Sequence, residues 1–167
     1  TEGMLDWLKE HADGKPVLAS FGVSGEVLTY AECPIVLHPK FETPGIRERV
    51  REYGEQLFLE NEESLHRWAL KHEARYLVYG KNQFSEKPEF ARGLMRYMVN
   101  AMEPSEHASA RVLEYRPDES RWFILEWENT KYKIFRIVSD DDKSLVGDLL
   151  SMSLNAMLRG DFRSARR

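Results

Sequence analysis

The sequence predicts an α/β domain: a mixed sheet whose first half is parallel strand-helix-strand and whose second half is an antiparallel meander, with helices flanking it and a helical C-terminal tail. Three observations carry this expectation. The runs Val17-Leu18-Ala19-Ser20-Phe21 and Tyr76-Leu77-Val78-Tyr79-Gly80 are of strand length and continuously apolar, as in strands covered on both faces. Between them, apolar residues recur at helical spacing. Beyond Pro104 the period changes from helical to alternating.

Taken in order, Met4, Leu5, Trp7 and Leu8 form the apolar cluster of a short helix that the Asp13-Gly14 turn stops. The first strand follows, bounded by Pro16 and Gly22. Ser24 can cap a short helix over 25–31, and Cys33-Pro34 ends it, because a residue before proline is pushed out of helical geometry. Ile35-Val36-Leu37-His38 reads as the second strand. Thr43 and Pro44 then open a helix whose Ile46, Val50, Tyr53 and Leu57 face one way, with Glu48, Arg49, Arg51, Glu52 and Glu55 opposite. Asn61 starts another, acidic at Glu62 and Glu63 and basic at Lys71 and His72, the order a helix dipole favours; its buried residues should be Leu65, Trp68 and Ala69. After the strand at Tyr76, Pro88 opens a helix with an apolar stripe from Phe90 to Ala101. Residues 110–115, 121–127 and 132–138 read as three strands joined by turn-rich links of hairpin length.

Residues 1–140 thus form the α/β domain and 141–167 a helical segment. In the latter, apolar residues from Leu145 to Leu158 keep helical spacing, and Leu158-Arg159-Gly160-Asp161-Phe162-Arg163-Ser164-Ala165 resembles the turn of a tetratricopeptide repeat. A plain helical cap with a glycine stop fits the same residues.

Composition narrows the function classes. With 42% hydrophobic and 31% charged residues in 167, the chain is of ordinary globular type and long enough for one well-buried domain. A net charge of −4 argues against general affinity for nucleic acid, which needs a concentrated basic face. The Arg159, Arg163, Arg166, Arg167 cluster reads as a solvated helix end. Cys33 is the sole cysteine, so an intrachain disulfide is out of reach and a cysteine-based zinc site would need a partner chain. No apolar run has the length that spans a bilayer. The start at Thr1 and the charged end lead us to expect a piece of a longer protein.

Two stretches carry candidate chemistry. Ser20-Phe21-Gly22-Val23-Ser24-Gly25 lies between a strand and a helix with the spacing of a dinucleotide fingerprint whose first glycine is replaced by serine. Ser20, Gly22, Ser24 and Gly25 would be its ligand-binding positions, through backbone N–H groups at the helix start. The missing glycine, the short helix and His38 in place of an acid at the next strand end favour a structural turn, so no cofactor is assigned. The second stretch is His38-Pro39-Lys40-Phe41-Glu42, at the C-terminal end of a strand, where open α/β sheets place ligands. His38, Lys40 and Glu42 can bind an anionic group or move a proton, but no nucleophile accompanies them. His66 and His72 fall on different helix faces, and His11 and His107 stand alone, so neither a metal nor a catalytic residue is assigned. Tyr76, Tyr79, Trp122 and Trp127 have the makings of a sugar platform, yet aromatics in strands are more often core.

The order of elements resembles the water-exposed C-terminal domain that follows the transmembrane helices in bacterial membrane glycosyltransferases of the oligosaccharyltransferase and dolichyl-phosphate-mannose mannosyltransferase type. Carrying residues are Trp7-Leu8 before Pro16–Ser20, the segment Ile35–Glu42 with Arg47 and Arg49, Tyr76–Tyr79, and Tyr132–Ile137. The Trp-Trp-Asp signature of oligosaccharyltransferases is absent where Ser20-Phe21-Gly22 stands. The resemblance implies a noncatalytic domain on the periplasmic, extracytoplasmic face of a bacterial membrane, partnered by the membrane domain of the same polypeptide and by a glycan or protein acceptor. A soluble nucleotide- or nucleotide-sugar-binding domain and a scaffold preceding helical repeats are the alternatives.

Overall fold

Strand β1 (Val17–Ala19) lies at one side of a four-stranded sheet in the order β1-β2-β4-β3, formed with β2 (Tyr76–Gly80), β3 (Phe123–Glu128) and β4 (Tyr132–Ile137). The structure, a computed structural model, describes residues 1–40, 42–82, 103–139 and 142. The chain divides into two units, Thr1–Ile137 and Val138–Arg167. The first holds the sheet.

β1 and β2 are parallel, with Leu18 opposite Leu77, and β2 pairs antiparallel with β4, with Leu77 opposite Phe135. β3 and β4 form the closing hairpin, interrupted by a bulge between Leu125 and Trp127. Its turn is held by Asn129, whose Oδ1 accepts from the N–H groups of Lys131 and Tyr132 at 2.8 Å each. The mixed α/β class read from the sequence is therefore the class observed.

Alternate strand residues point to opposite faces, and the faces are covered differently. On one side Leu18, Leu77, Tyr79, Phe123, Phe135 and Ile137 pack beneath α3 (Pro44–Phe58), α4 (Glu62–Lys71) and α5 (Ser109–Tyr115). Val17, Ala19, Tyr76, Val78 and Ile134 face α1 (Glu2–His11) and α2 (Phe21–Tyr30) on the other. The helices that face the sheet follow their caps. The Thr43 Oγ1 accepts from Ile46 N–H at 3.3 Å with Pro44 at the helix start, and Asn61 Oδ1 accepts from Ser64 N–H at 3.0 Å. Leu65, Trp68 and Ala69 are buried, and so is His66, which stacks on Trp122 at 4.5 Å. Tyr76 and Tyr79 are core residues rather than a platform.

Three expectations are corrected. Residues 35–38 do not make a strand: Ile35 forms a single parallel bridge with Val17, because the prolines at 34 and 39 withhold ladder N–H groups on either side. Residues 110–115 are helical rather than extended. Ala110 and Leu113 reach the core from one helix face, and the buried Lys133 Nζ donates to the terminal carbonyls of Leu113 (2.8 Å) and Glu114 (2.6 Å). The antiparallel second half accordingly has two strands of its own, β3 and β4, which continue the sheet from β2. Finally, α2 starts at Phe21 with Ser20 as its N-cap residue, so Ser24 lies within the helix and does not cap it. The helix expected after Pro88 and the helical tail with its repeat-like turn lie outside the described residues.

Candidate functional site

Gly25 of α2 lies beside Pro39, which brings the two stretches singled out in the sequence next to each other. A Cβ placed on Gly25 would stand 3.5 Å from Pro39 Cγ, an ordinary contact distance. The approach arises because residues 34–36 run beside β1: Val17 N–H donates to Pro34 C=O at 2.8 Å, and Val36 N–H to Val17 C=O at 3.1 Å. Val36 and Leu37 then anchor the chain in the core while His38 and Lys40 emerge to solvent. Arg49 of α3 donates to Val36 C=O at 3.4 Å and ties the same segment from the other side.

The start of α2 does not make an open phosphate cradle. N–H groups of Val23 and Ser24 both donate to Ser20 C=O at 2.9 Å, so they are used within the helix. Ser24 is fully buried, and its hydroxyl donates back to Phe21 C=O at 3.0 Å. Ser20 makes no side-chain cap bond and is half-buried. Gly22 alone is open, with no heavy atom within 4 Å of where its Cβ would stand. Of the four fingerprint positions, only Gly25 therefore lies beside the loop, and Ser24 faces inward.

His38, Lys40 and Glu42 are brought together on one exposed loop. His38 Nδ1 accepts from the backbone N–H of Lys40 at 3.2 Å, which sets the ring orientation and puts the proton of neutral histidine on Nε2. The Lys40 ammonium stands 4.0 Å from the Glu42 carboxylate, with both side chains more than two-thirds exposed. Such a pair contributes little to stability and is free to exchange partners. The loop thus offers an imidazole donor, a cation and an anion to solvent over a short span, with no aligned nucleophile. Among the described residues, no group of three or more His, Cys, Asp and Glu is placed to hold a metal ion.

A second concave feature was not visible in the sequence. A groove of about 280 Å³ separates the start of α4 from α5 and its lead-in, lined by Glu62, Glu106, His107, Ala108, Arg111 and Val112 among others. Glu62 reads in the sequence only as the acidic first turn of a helix, and Arg111 only as a strand residue. Their meeting depends on the α4–α5 packing, for which no local pattern stands.

A mixed α/β domain of this topology, with an exposed loop beside its parallel strand pair, can be set beside known proteins. Its fold is shared with the C-terminal globular domain of an oligosaccharyltransferase from Archaeoglobus fulgidus: the TM-score is 0.62 at 18% identity, over 82% of this chain and 96% of that one. At that identity the likeness is one of fold. The chain belongs to the Dpy19 family, described as Q-cell neuroblast polarisation, whose match spans residues 1–137. No match was found among curated proteins.

Proposed function

We propose that this chain is a noncatalytic, extracytoplasmic domain of a polytopic membrane glycosyltransferase, and that its His38–Glu42 loop engages a glycan or protein acceptor or a partner. The observation that carries the reading is the fold shared with the oligosaccharyltransferase C-terminal domain over 96% of that domain. Two further facts support it. The exposed His38, Lys40 and Glu42 offer hydrogen-bonding and charged groups without a nucleophile. Among the described residues, no helix is long and apolar enough to cross a membrane, so the membrane domain of the same polypeptide would lie elsewhere in the chain. The complete gene tests this directly: several apolar spans immediately before Thr1 are expected, and an upstream coding sequence without them contradicts the reading.

A further inference from the structure

We propose that His72 is an acid-operated latch on the anchor of the His38 loop: when its ring takes up a proton, Arg49 releases the Val36 carbonyl and the loop loses its tie to α3. The ring sits where α4 ends and packs against Trp68 at a centroid distance of 4.5 Å. Its Nε2 is buried and has no hydrogen-bond partner among the described residues. The charged groups that face it are Arg49 and Glu52 of α3 and its own neighbour Lys71. Both α3 groups are already engaged. Arg49 Nη1 donates to Val36 C=O at 3.4 Å, two residues before His38, and Glu52 Oε2 accepts from Trp68 Nε1 at 3.0 Å.

Neutral histidine fits this arrangement and imidazolium does not. Whichever nitrogen carries the single proton of the neutral ring, the charged ring has a donor at Nε2. A buried charged donor without an acceptor is strongly unfavourable, and Glu52 is the carboxylate that faces it. Glu52 therefore turns from the Trp68 indole towards the imidazolium, while the new cation repels Arg49. The bond to Val36 yields because it is long for an N–H···O contact and because Arg49 is otherwise exposed, so that water receives its guanidinium. Burial first, then Arg49 and Lys71, hold the pKa of His72 down, with Glu52 opposing them. The latch is thus closed at neutral pH and opens as pH falls below the ordinary histidine value of 6.5. The inference rests on the loop's anchor and stands apart from the membrane reading above.

The test follows the amide and side-chain shifts of the ¹⁵N-labelled full chain from pH 7.5 to 5, in a His38→Gln background so that the loop has no titrating imidazole of its own. The amides of Val36 and Leu37 and the Trp68 indole N–H should shift together, with the midpoint of the His72 ring. In His72→Gln all three shifts should be lost. If that variant fails to fold, Arg49→Gln serves instead: the indole should still titrate while the Val36 and Leu37 amides stay still. Val36 and Leu37 amides that do not follow His72, or that titrate unchanged in either variant, overturn the proposal, and so does a His72 ring that stays neutral down to pH 5.

Discussion

The two faces of the sheet are built from different materials. Beneath α3, α4 and α5 the side chains are large: Phe58, Phe123, Phe135, Tyr79 and Leu113 are fully buried. Beneath α1 and α2 the small residues Ala12, Ala19, Val27, Ala31 and Cys33 stand among a few larger ones, Met4, Leu8, Tyr76 and Ile134. Burial of a large apolar side chain contributes about 1.5–3 kcal/mol and a small one less, so stability concentrates on the first face. On the second, Gly25 of α2 lies beside Pro39. The His38 loop leaves from between the two: Cys33 and Ile35 pack with the second cluster and Val36 and Leu37 with the first, so its exposed groups can change partners without moving these anchors.

The strongest way to break this contrast uses neighbouring residues of β4 that point to opposite faces. Phe135→Ala should cost about 3–5 kcal/mol and Ile134→Val about 0.5–1.5 kcal/mol in urea unfolding. Equal losses would mean that the two layers share the load.

A smaller effect is expected from the buried cation on the heavy face. Lys133 is 5% exposed, burial holds its ammonium below the ordinary lysine range, and its proton donors serve the end of α5. Lys133→Met leaves the Leu113 and Glu114 carbonyls without their donor and should lower stability by about 1–3 kcal/mol. An unchanged urea midpoint would show that water takes over both bonds.

The smallest effect sharpens where the heavy face meets solvent. His72 caps α4 at its C-terminus, packs 4.5 Å from Trp68, and has a buried Nε2 without a hydrogen-bond partner. Burial depresses its pKa first, with repulsion from Arg49 and Lys71 adding to it and Glu52 opposing. The folded state thus binds its proton less readily than the unfolded chain, whose histidine titrates near 6.5. Stability should be complete above that pH and decline as pH falls through the folded value. Thermal melts between pH 7.5 and 5 should show this decline, reduced in His72→Gln. Identical pH profiles for the two proteins would remove His72 from the account.

What was legible in the sequence follows the same division. α3 and α4 could be placed because Thr43-Pro44 and Asn61 cap them and their apolar stripes repeat over several turns. β2 and the closing hairpin were visible as unbroken or alternating apolar runs between turn residues. Short elements decided by distant partners were not. Ala110–Tyr115 is too brief for its period to tell helix from strand, and the Lys133 ammonium that caps it comes from β4. Ile35–His38 has strand composition but only one bridge. The loop that His38, Lys40 and Glu42 share was legible because Pro39 and Pro44 mark it. The inward turn of Ser24 and the unpartnered oxygen of Glu62 depend on packing that no local pattern encodes.

The proposed role of the loop, recognition rather than reaction, is tested most directly in the full-length protein of the proposed membrane glycosyltransferase. Replacing His38, Lys40 and Glu42 together by alanine should raise the apparent KM for the acceptor several-fold while kcat for glycosyl transfer is retained. Loss of kcat with an unchanged KM would place these residues in the chemistry and contradict the account.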